Sequence, residues 1–377
     1  MTRKLIVDIE TTTSPIDKIW MVGTLDYDTD EVRTFTYPLN KEEIQECLNQ
    51  YDEIIGHNFI DFDAPILTKL EKVSFDGLLV TDTLILSRLQ NPQREGGHSL
   101  KSWGDRLGFP KGDYDDWSNL NDEMVKYCIQ DLKLTKKVYI ALSEKLAPFG
   151  DTSIILEHQV QTILTRQIAH GWLLDTKQCF SLLGELKERK EVTPKYNKDG
   201  NISVNGLKFL GDDISTVCGV FSRIEFPEFN LGSRQQIGKY LKFFGWKPVD
   251  FTEKGHPIVD EKALGKVKDI PEALLIAEYL TLQKRIAQVQ SWVDASDKKD
   301  QRVHGYVNTI GAVTGRMTHS SPNLAQVPSV YSPYGKECRE CWTVPKGYKL
   351  VGADAAGLEL RMLAHYMNDK EYTNAIL

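Results

Sequence analysis

Asp8 and Glu10 stand two residues apart in Leu5-Ile6-Val7-Asp8-Ile9-Glu10-Thr11-Thr12, a short apolar run that ends in hydroxyl residues. Side chains alternate along a strand, so the two carboxylates share a face while Ile6 and Val7 anchor the run in a core. Two hard oxygen donors side by side suit a divalent cation, although surface strands also carry acids for solubility alone. Further acids decide between these readings. His57-Asn58-Phe59-Ile60-Asp61-Phe62-Asp63-Ala64-Pro65 brings two candidate carboxylates, Asp61 and Asp63, just ahead of a helix start marked by Pro65. Tyr127-Cys128-Ile129-Gln130-Asp131 sets a phenol one helical turn before another carboxylate, so the two can point into one site. Asp8, Glu10, Asp63 and Asp131 together are what a two-metal phosphodiesterase needs. Its ions lie about 4 Å apart, one activating water and one stabilising the leaving oxygen, and Tyr127 could orient that water. Asp82 also ends a strand, and reads as structural.

A second ordered set lies near the other end. It comprises Thr314-Gly315-Arg316, Pro322-Asn323-Leu324-Ala325-Gln326-Val327-Pro328 and Asp354-Ala355-Ala356-Gly357-Leu358-Glu359-Leu360-Arg361. Between the two sets the chain is rich in basic and aromatic residues, including Arg234, Lys239, Tyr240, Trp246, Lys284 and Arg285. Such a surface suits a phosphate backbone, and equally a solvated helix face.

The elements that must carry these residues follow from periodicity. Lys4–Glu10 reads as a strand, Ile19–Tyr27 and Glu31–Tyr37 as a hairpin pair, and Glu42–Gln50 as a short helix. Glu53–His57 and Leu78–Thr81 read as buried strands around a helix at Ala64–Lys72, which gives an α/β domain with a mixed sheet. Residues 122–146 form a clear helix through Val125, Cys128, Leu132, Thr135, Val138 and Leu142. Long helices are predicted at Glu157–His170, Thr176–Lys190 and Glu272–Asp294. Pro194–Phe229 is irregular and Gly-rich. After His304 strand and turn signals return, and Gly347–Asp354 reads as a strand that leads into a helix.

The 377 residues exceed one ordinary core and imply two or three domains, and 41% hydrophobic with 26% charged residues describes a globular protein. The absence of an eighteen-residue apolar run or a signal-like start predicts a cytoplasmic chain with no membrane partner. A net charge of -7 argues against coating nucleic acid over the whole surface, but not against a basic groove. Six cysteines are scattered, and the Cys338-Arg339-Glu340-Cys341 pair has metal-like spacing with no second pair near it.

The order Asp8-Ile9-Glu10, Asn58-x-x-x-Phe62-Asp63, Tyr127-x-x-x-Asp131 resembles the exonuclease motifs of the DEDD superfamily, in the branch with Tyr in its third motif. The resemblance selects Asp63 over Asp61. It implies a ribonuclease H-like domain over 1–150 that hydrolyses DNA or RNA 3′→5′ with two Mg²⁺ or Mn²⁺ ions. The second set resembles family A DNA polymerases, most closely those of T-odd short-tailed phages. His304-Gly305, Ser332-Pro333-Tyr334-Gly335, Asn230–Ile237 and Tyr279–Ile286 carry the likeness further.

That resemblance implies a mainly α thumb over 151–300, with a shortened extension at about 194–229, and the first part of an α+β palm over 301–377. It places Asp354 and the carbonyl of Ala355 on catalytic metals and Glu359 under the incoming sugar. Arg316 would lie at the primer end, Asn323 and Gln326 near the template–primer junction, and Arg361 in the substrate set. Arg234, Lys239, Lys284 and Arg285 would grip the duplex. The family's fingers and second palm acid are not in these 377 residues. The expected partners are therefore primer–template DNA, single-stranded 3′ ends, and a second polypeptide carrying fingers and remaining palm. The dNTP enters only in that completed polymerase. The chain would be a natural split half or a truncated piece, acting in an infected host's cytoplasm. The short, less basic 194–229 segment argues against a thioredoxin-type processivity factor. A stand-alone exonuclease and a non-catalytic DNA clamp are the competing readings.

Overall fold

In the computed structural model, which describes residues 2–192, 217–218, 221–222 and 229–376, the chain divides into two compact units. One comprises residues 1–171 with 302–327, the other 172–301 with 328–377.

The first unit is built on strands β1 (Lys4–Thr11), β2 (Ile19–Asp26), β3 (Val32–Thr36), β4 (Glu53–Gly56) and β5 (Leu79–Asp82). They form one sheet in the order β3-β2-β1-β4-β5. The β1–β2 and β2–β3 pairs are antiparallel, and β1–β4 and β4–β5 parallel. The sheet is thus mixed, as the alternation of strand and helix signals requires. On one face Leu5, Val7 and Ile9 pack with Ile44 and Leu48 of helix α1 (Lys41–Leu48) and with Phe59. On the other, Ile6 packs with Cys128 and Leu132 of helix α5 (Asp122–Leu146). In sequence, helix α2 (Asp63–Ile66) lies between β4 and β5, and α3 (Thr83–Gln90) and α4 (Leu100–Leu107) lie between β5 and α5.

Strand alternation therefore turns Asp8 and Glu10, which share Ile6's face, toward α5. The start of α5 is fixed by Asn121, whose side chain accepts from Met124 N, with Asp122 and Glu123 in the first turn. Gly23 of β2 lets the helix approach: a Cβ there would meet Cys128 Sγ at 2.5 Å and Leu132 Cδ1 at 3.0 Å.

Asp82 is buried at the end of β5 and accepts from Asn58 N (2.8 Å), Ile60 N (3.1 Å) and Leu84 N (2.9 Å). One carboxylate caps α3 and also shapes the turn that leads to Asp63. Within that turn His57 Nδ1 lies 2.8 Å from Thr83 Oγ1.

Helix α6 (Asp151–His170) was expected to open the thumb, but it belongs to the first unit. Its polar face supplies the reason. His158 Nε2 accepts from Asp82 N at 2.8 Å, and Gln161 Nε2 donates to Asp61 Oδ1 at 2.7 Å. Thr165 donates to the same carboxylate. The strand and turn signals after His304 also fall in this unit, as an antiparallel pair of Tyr306–Asn308 with Thr318–Ser320.

The second unit is helical: α7 (Thr176–Val192), α8 (Arg234–Phe243), α9 (Glu261–Leu264), α10 (Pro271–Ala295), α11 (Gly335–Glu340), α12 (Leu358–Met367) and α13 (Lys370–Ile376). Its core joins Ile237 and Leu241 of α8 to Ile276 and Leu280 of α10. Most of the predicted extension at 194–229 lies outside the described residues. The strand expected over Gly347–Asp354 is not formed; this segment is exposed and irregular up to α12. It joins no sheet among the described residues, and an apolar run without a ladder partner does not hold a strand.

Two measurements follow from this packing. Gly23→Ala is expected to lower the stability of the first unit by about 1–3 kcal/mol, because the added methyl overpacks against α5. Gly184→Ala on α7, where an added Cβ meets nothing within 4 Å, should raise stability by about 0.4–1 kcal/mol. Urea midpoints of the two variants should move in opposite directions. Burial, with Lys111 and then Arg88 nearby, pushes the His57 pKa down to about 3. A depressed folded pKa gives stability that is present above the unfolded value and is lost as pH falls toward the folded one. Between pH 7 and pH 4 the wild type should therefore lose more melting temperature than His57→Asn, and equal losses would refute this role.

Candidate active site

One cavity of about 490 Å³ in the first unit is lined by Asp8, Glu10, Asp63, Tyr127 and Asp131, with Lys111, Trp117, His57, Asn58 and Phe62. The five residues singled out by sequence spacing thus come from β1, the start of α2 and the middle of α5, and meet at one point. Asp63 Oδ1 accepts from Ile9 N at 3.1 Å, which ties the second motif to the first through the backbone. Asp61 is not among the lining residues and is bonded to α6, so the structure separates the two acids that spacing alone left open.

The electrostatics are those of anions crowded away from water. Asp63 is 3% exposed, Glu10 5% and Asp131 2%. Burial, then Asp131, raises the Asp8 pKa to about 7, and burial, then Asp8, raises that of Glu10 to about 10. Asp63 is raised by burial and by Asp8, and Asp131 by burial against the opposing pull of Lys111. Glu10 Oε1 and Asp131 Oδ1 are buried with no hydrogen-bond partner. Buried carboxylate oxygens left in this state are costly unless a cation meets them.

The donor chemistry also selects the cation. Ligand atoms of Asp8, Glu10 and Cys128 lie within 4.8 Å of one another. Burial, then Asp8, pushes the Cys128 thiol well above its usual pKa, and it donates to Asp8 Oδ2 at 3.9 Å. With the thiol neutral, the available ligands are hard oxygens, which suit Mg²⁺ or Mn²⁺ better than a thiophilic ion. Asp8, Glu10, Asp63 and Asp131 therefore fit a divalent metal.

Two features escaped the sequence reading. Lys111 comes from the irregular stretch before α5, and its Nζ lies 2.7 Å from Asp131 Oδ2 and 5.0 Å from the Tyr127 ring centroid. Tyr114, Trp117 and Tyr127 form an aromatic cluster with centroids 4.9–5.7 Å apart. Neither falls on a helical or strand period. The only sequence signal for Lys111 was indirect, since four converging acids demand a compensating cation.

The second constellation is less assembled. Arg316, Asn323 and Gln326 belong to the first unit, while Asp354, Ala355, Glu359 and Arg361 belong to the second. Asn323 Oδ1 accepts from Ala325 N at 3.1 Å, which shapes its own turn. Asp354 and Ala355 sit on the exposed loop before α12, Glu359 and Arg361 in its first turns, and Arg361 Nε donates to Ala356 O at 2.8 Å. Of the basic residues, Arg234 and Lys239 are exposed on α8 and Lys284 on α10, while Arg285 is partly buried and donates to Pro333 O at 3.2 Å. Tyr240, expected on the same surface, is buried in the helical core. Cys338 and Cys341 are both buried and free.

Comparisons with known proteins give a family match over each part of the chain. Residues 5–143 match the RNase H superfamily, and residues 210–377 match DNA polymerase family A. The chain is 32% identical, over an alignment 451 positions long, to the DNA-directed DNA polymerase of Escherichia phage T7, covering 86% of this chain and 63% of that protein. It is 28% identical to DNA polymerase I of Helicobacter pylori (strain ATCC 700392 / 26695), over 87% of this chain and 34% of that protein. The chain thus spans less than two thirds of the length of these relatives. A solved structure described as the POL domain of Pol1 from M. smegmatis with DNA primer-template and dNTP shares the fold, with a TM-score of 0.72 at 18% identity. That match covers 98% of this chain and 60% of the other. Residues 210–377 thus belong to DNA polymerase family A, and residues 5–143 form a domain of the RNase H superfamily.

Proposed function

We propose that the N-terminal unit is a metal-dependent 3′→5′ exonuclease that proofreads for a phage replicative DNA polymerase in the host cytoplasm. The observation that carries this reading is the convergence of Asp8, Glu10, Asp63, Asp131 and Tyr127 on one cavity. The four acids would hold two Mg²⁺ or Mn²⁺ ions, which supply charge neutralisation at the scissile phosphate and acidify water. The residues of the chain do the positioning. Asp8 and Glu10 are fixed by β1, Asp63 by its bond to Ile9 N, and the Tyr127 phenol faces the same space from α5. Burial, the largest influence on Tyr127, raises its pKa, so the hydroxyl stays protonated and can hydrogen-bond a water or a phosphate oxygen. A terminal base needs to leave its stack to enter, which costs less for a mismatch.

Polymerisation requires more than Asp354. A single carboxylate on an exposed loop cannot hold a two-metal site, so polymerisation would need fingers and further palm in addition to these 377 residues, carried by a second polypeptide or by a longer form of this one. Support comes from α12, where Leu358, Leu360, Met362, Leu363 and Met367 are each 46–52% exposed. So much apolar surface on one ten-residue helix marks an interaction face. In the completed enzyme Arg316, Asn323, Gln326, Glu359 and Arg361 would meet primer, template and dNTP, and Arg234, Lys239, Lys284 and Arg285 the duplex backbone. A clamp without catalysis leaves the four buried acids without a purpose, and a stand-alone nuclease leaves α12 exposed.

Incubated with 5′-labelled single-stranded DNA and Mn²⁺, the chain should yield a ladder that shortens from the 3′ end. Asp8→Ala should slow it by at least about 100-fold. Products released from the 5′ end, or an unaffected variant, would contradict the assignment. The isolated chain should not extend a primed template with dNTPs, whereas adding a polypeptide with the later family A segments should restore extension. Extension by these 377 residues alone sinks the reading that further segments are needed.

A further inference from the structure

Lys111 is the one lysine or arginine that lines the acidic cavity among the described residues, and it is not held there by a helix or a strand. Its ammonium lies 2.7 Å from Asp131 Oδ2, with side-chain exposures of 25% and 4% for the two partners. The Tyr127 ring backs it at 5.0 Å, and a Cβ on the adjacent Gly112 would meet Tyr127 Cδ2 at 3.2 Å, so the loop itself presses against the phenol. Asp131 thus has one oxygen committed to Lys111 and the other, Oδ1, buried without a partner. While Oδ2 holds the ammonium, Asp131 can offer a divalent ion only Oδ1, with part of its charge already countered. A fixed positive charge this close also repels an incoming cation through a medium of low dielectric.

We propose that Lys111 is a built-in counter-cation: it occupies Asp131 when no divalent ion is bound, competes with the ion for that carboxylate, and thereby sets the metal affinity of the site. This rests on the metal-site reading above and adds a residue to it. Lys111 is a positioning residue in this role, since it acts through Asp131. The arrangement reconciles two requirements. The acids need a positive charge if the unit is to fold before metal arrives, and a lysine on an irregular loop can yield its place without moving β1 or α5.

The test is direct metal binding by the full chain, followed through the electron paramagnetic resonance signal of free Mn²⁺ at pH 8. Lys111→Gln and Lys111→Met remove the charge, and Lys111→Arg keeps it; circular dichroism checks that each is folded. The neutral Gln can still hydrogen-bond Asp131, which keeps the experiment open if Met prevents folding. The expected result is Mn²⁺ bound about tenfold more tightly by the neutral variants, with Lys111→Arg within about threefold of wild type. Metal-free Lys111→Gln should also melt below wild type and gain more from saturating Mn²⁺. Mn²⁺ uptake by wild type with unchanged or weaker affinity in Lys111→Gln overturns the counter-cation role alone. No uptake by wild type or by any variant overturns the metal-site reading together with it.

Discussion

Four carboxylates forced into one cavity set the terms for everything else in the N-terminal unit. Left to themselves, Asp8, Glu10, Asp63 and Asp131 would repel one another and favour proton uptake, as the upward displacement of all four shows. A globular fold tolerates such a cluster only where rigid elements prevent the groups from drifting apart and where cations can answer the charge. Both conditions are met. β1 is a central strand bonded on both sides, α5 is held against the sheet by an extended apolar stripe, and the turn carrying Asp63 is pinned by Asp82 and by Ile9 N. Lys111 answers part of the charge from within the chain.

Much of this was legible in the sequence because it obeys short periods. The strands of the sheet, the helix over Asp122–Leu146 and the joint orientation of Tyr127 and Asp131 follow from alternation and from the helical repeat. The acid pair on β1 follows from the same rule. What was not legible is what depends on long-range contact. Spacing alone gives Asp61 and Asp63 equal claims, and where the resemblance prefers Asp63, packing supplies the physical reason: α6 takes Asp61 and the cavity Asp63. Lys111 and the aromatic cluster arrive on a stretch with no period. The contacts of α6 were not legible for a similar reason: its composition is that of the helical lobe, while its hydrogen bonds reach back to Asp82 and Asp61. The expected strand before Asp354 was misjudged because a local apolar pattern cannot reveal whether a neighbouring strand exists.

Asp82 illustrates how a residue can govern a site without entering it. It was read as structural, and it is: its oxygens are taken up by three backbone N–H groups. Those groups belong to the turn at Asn58, whose left-handed φ of 63° needs such support, and to the first turn of α3. The distance from a buried cap to a functional carboxylate is one turn of chain, so the line between scaffold and site falls inside residues 57–63.

The two acidic sites of this chain differ in what encloses them. Around Asp8 the sheet and α5 hold the acids on rigid elements, with Asp63 tied to Ile9 N and Asp131 to Lys111, so the chain supplies its own preorganisation. Asp354 has no such enclosure: its loop is exposed, and the helix that follows turns Leu360, Leu363 and Met367 to solvent. Apolar surface on α12 and an unsupported carboxylate a few residues earlier are two aspects of one deficiency. Any body that buried the α12 face would remove apolar area from water and, in the same step, lower the dielectric around Asp354 and limit its motion. Hydrophobic association and the assembly of a competent metal ligand set would then be coupled, with the first supplying the free energy that the second requires.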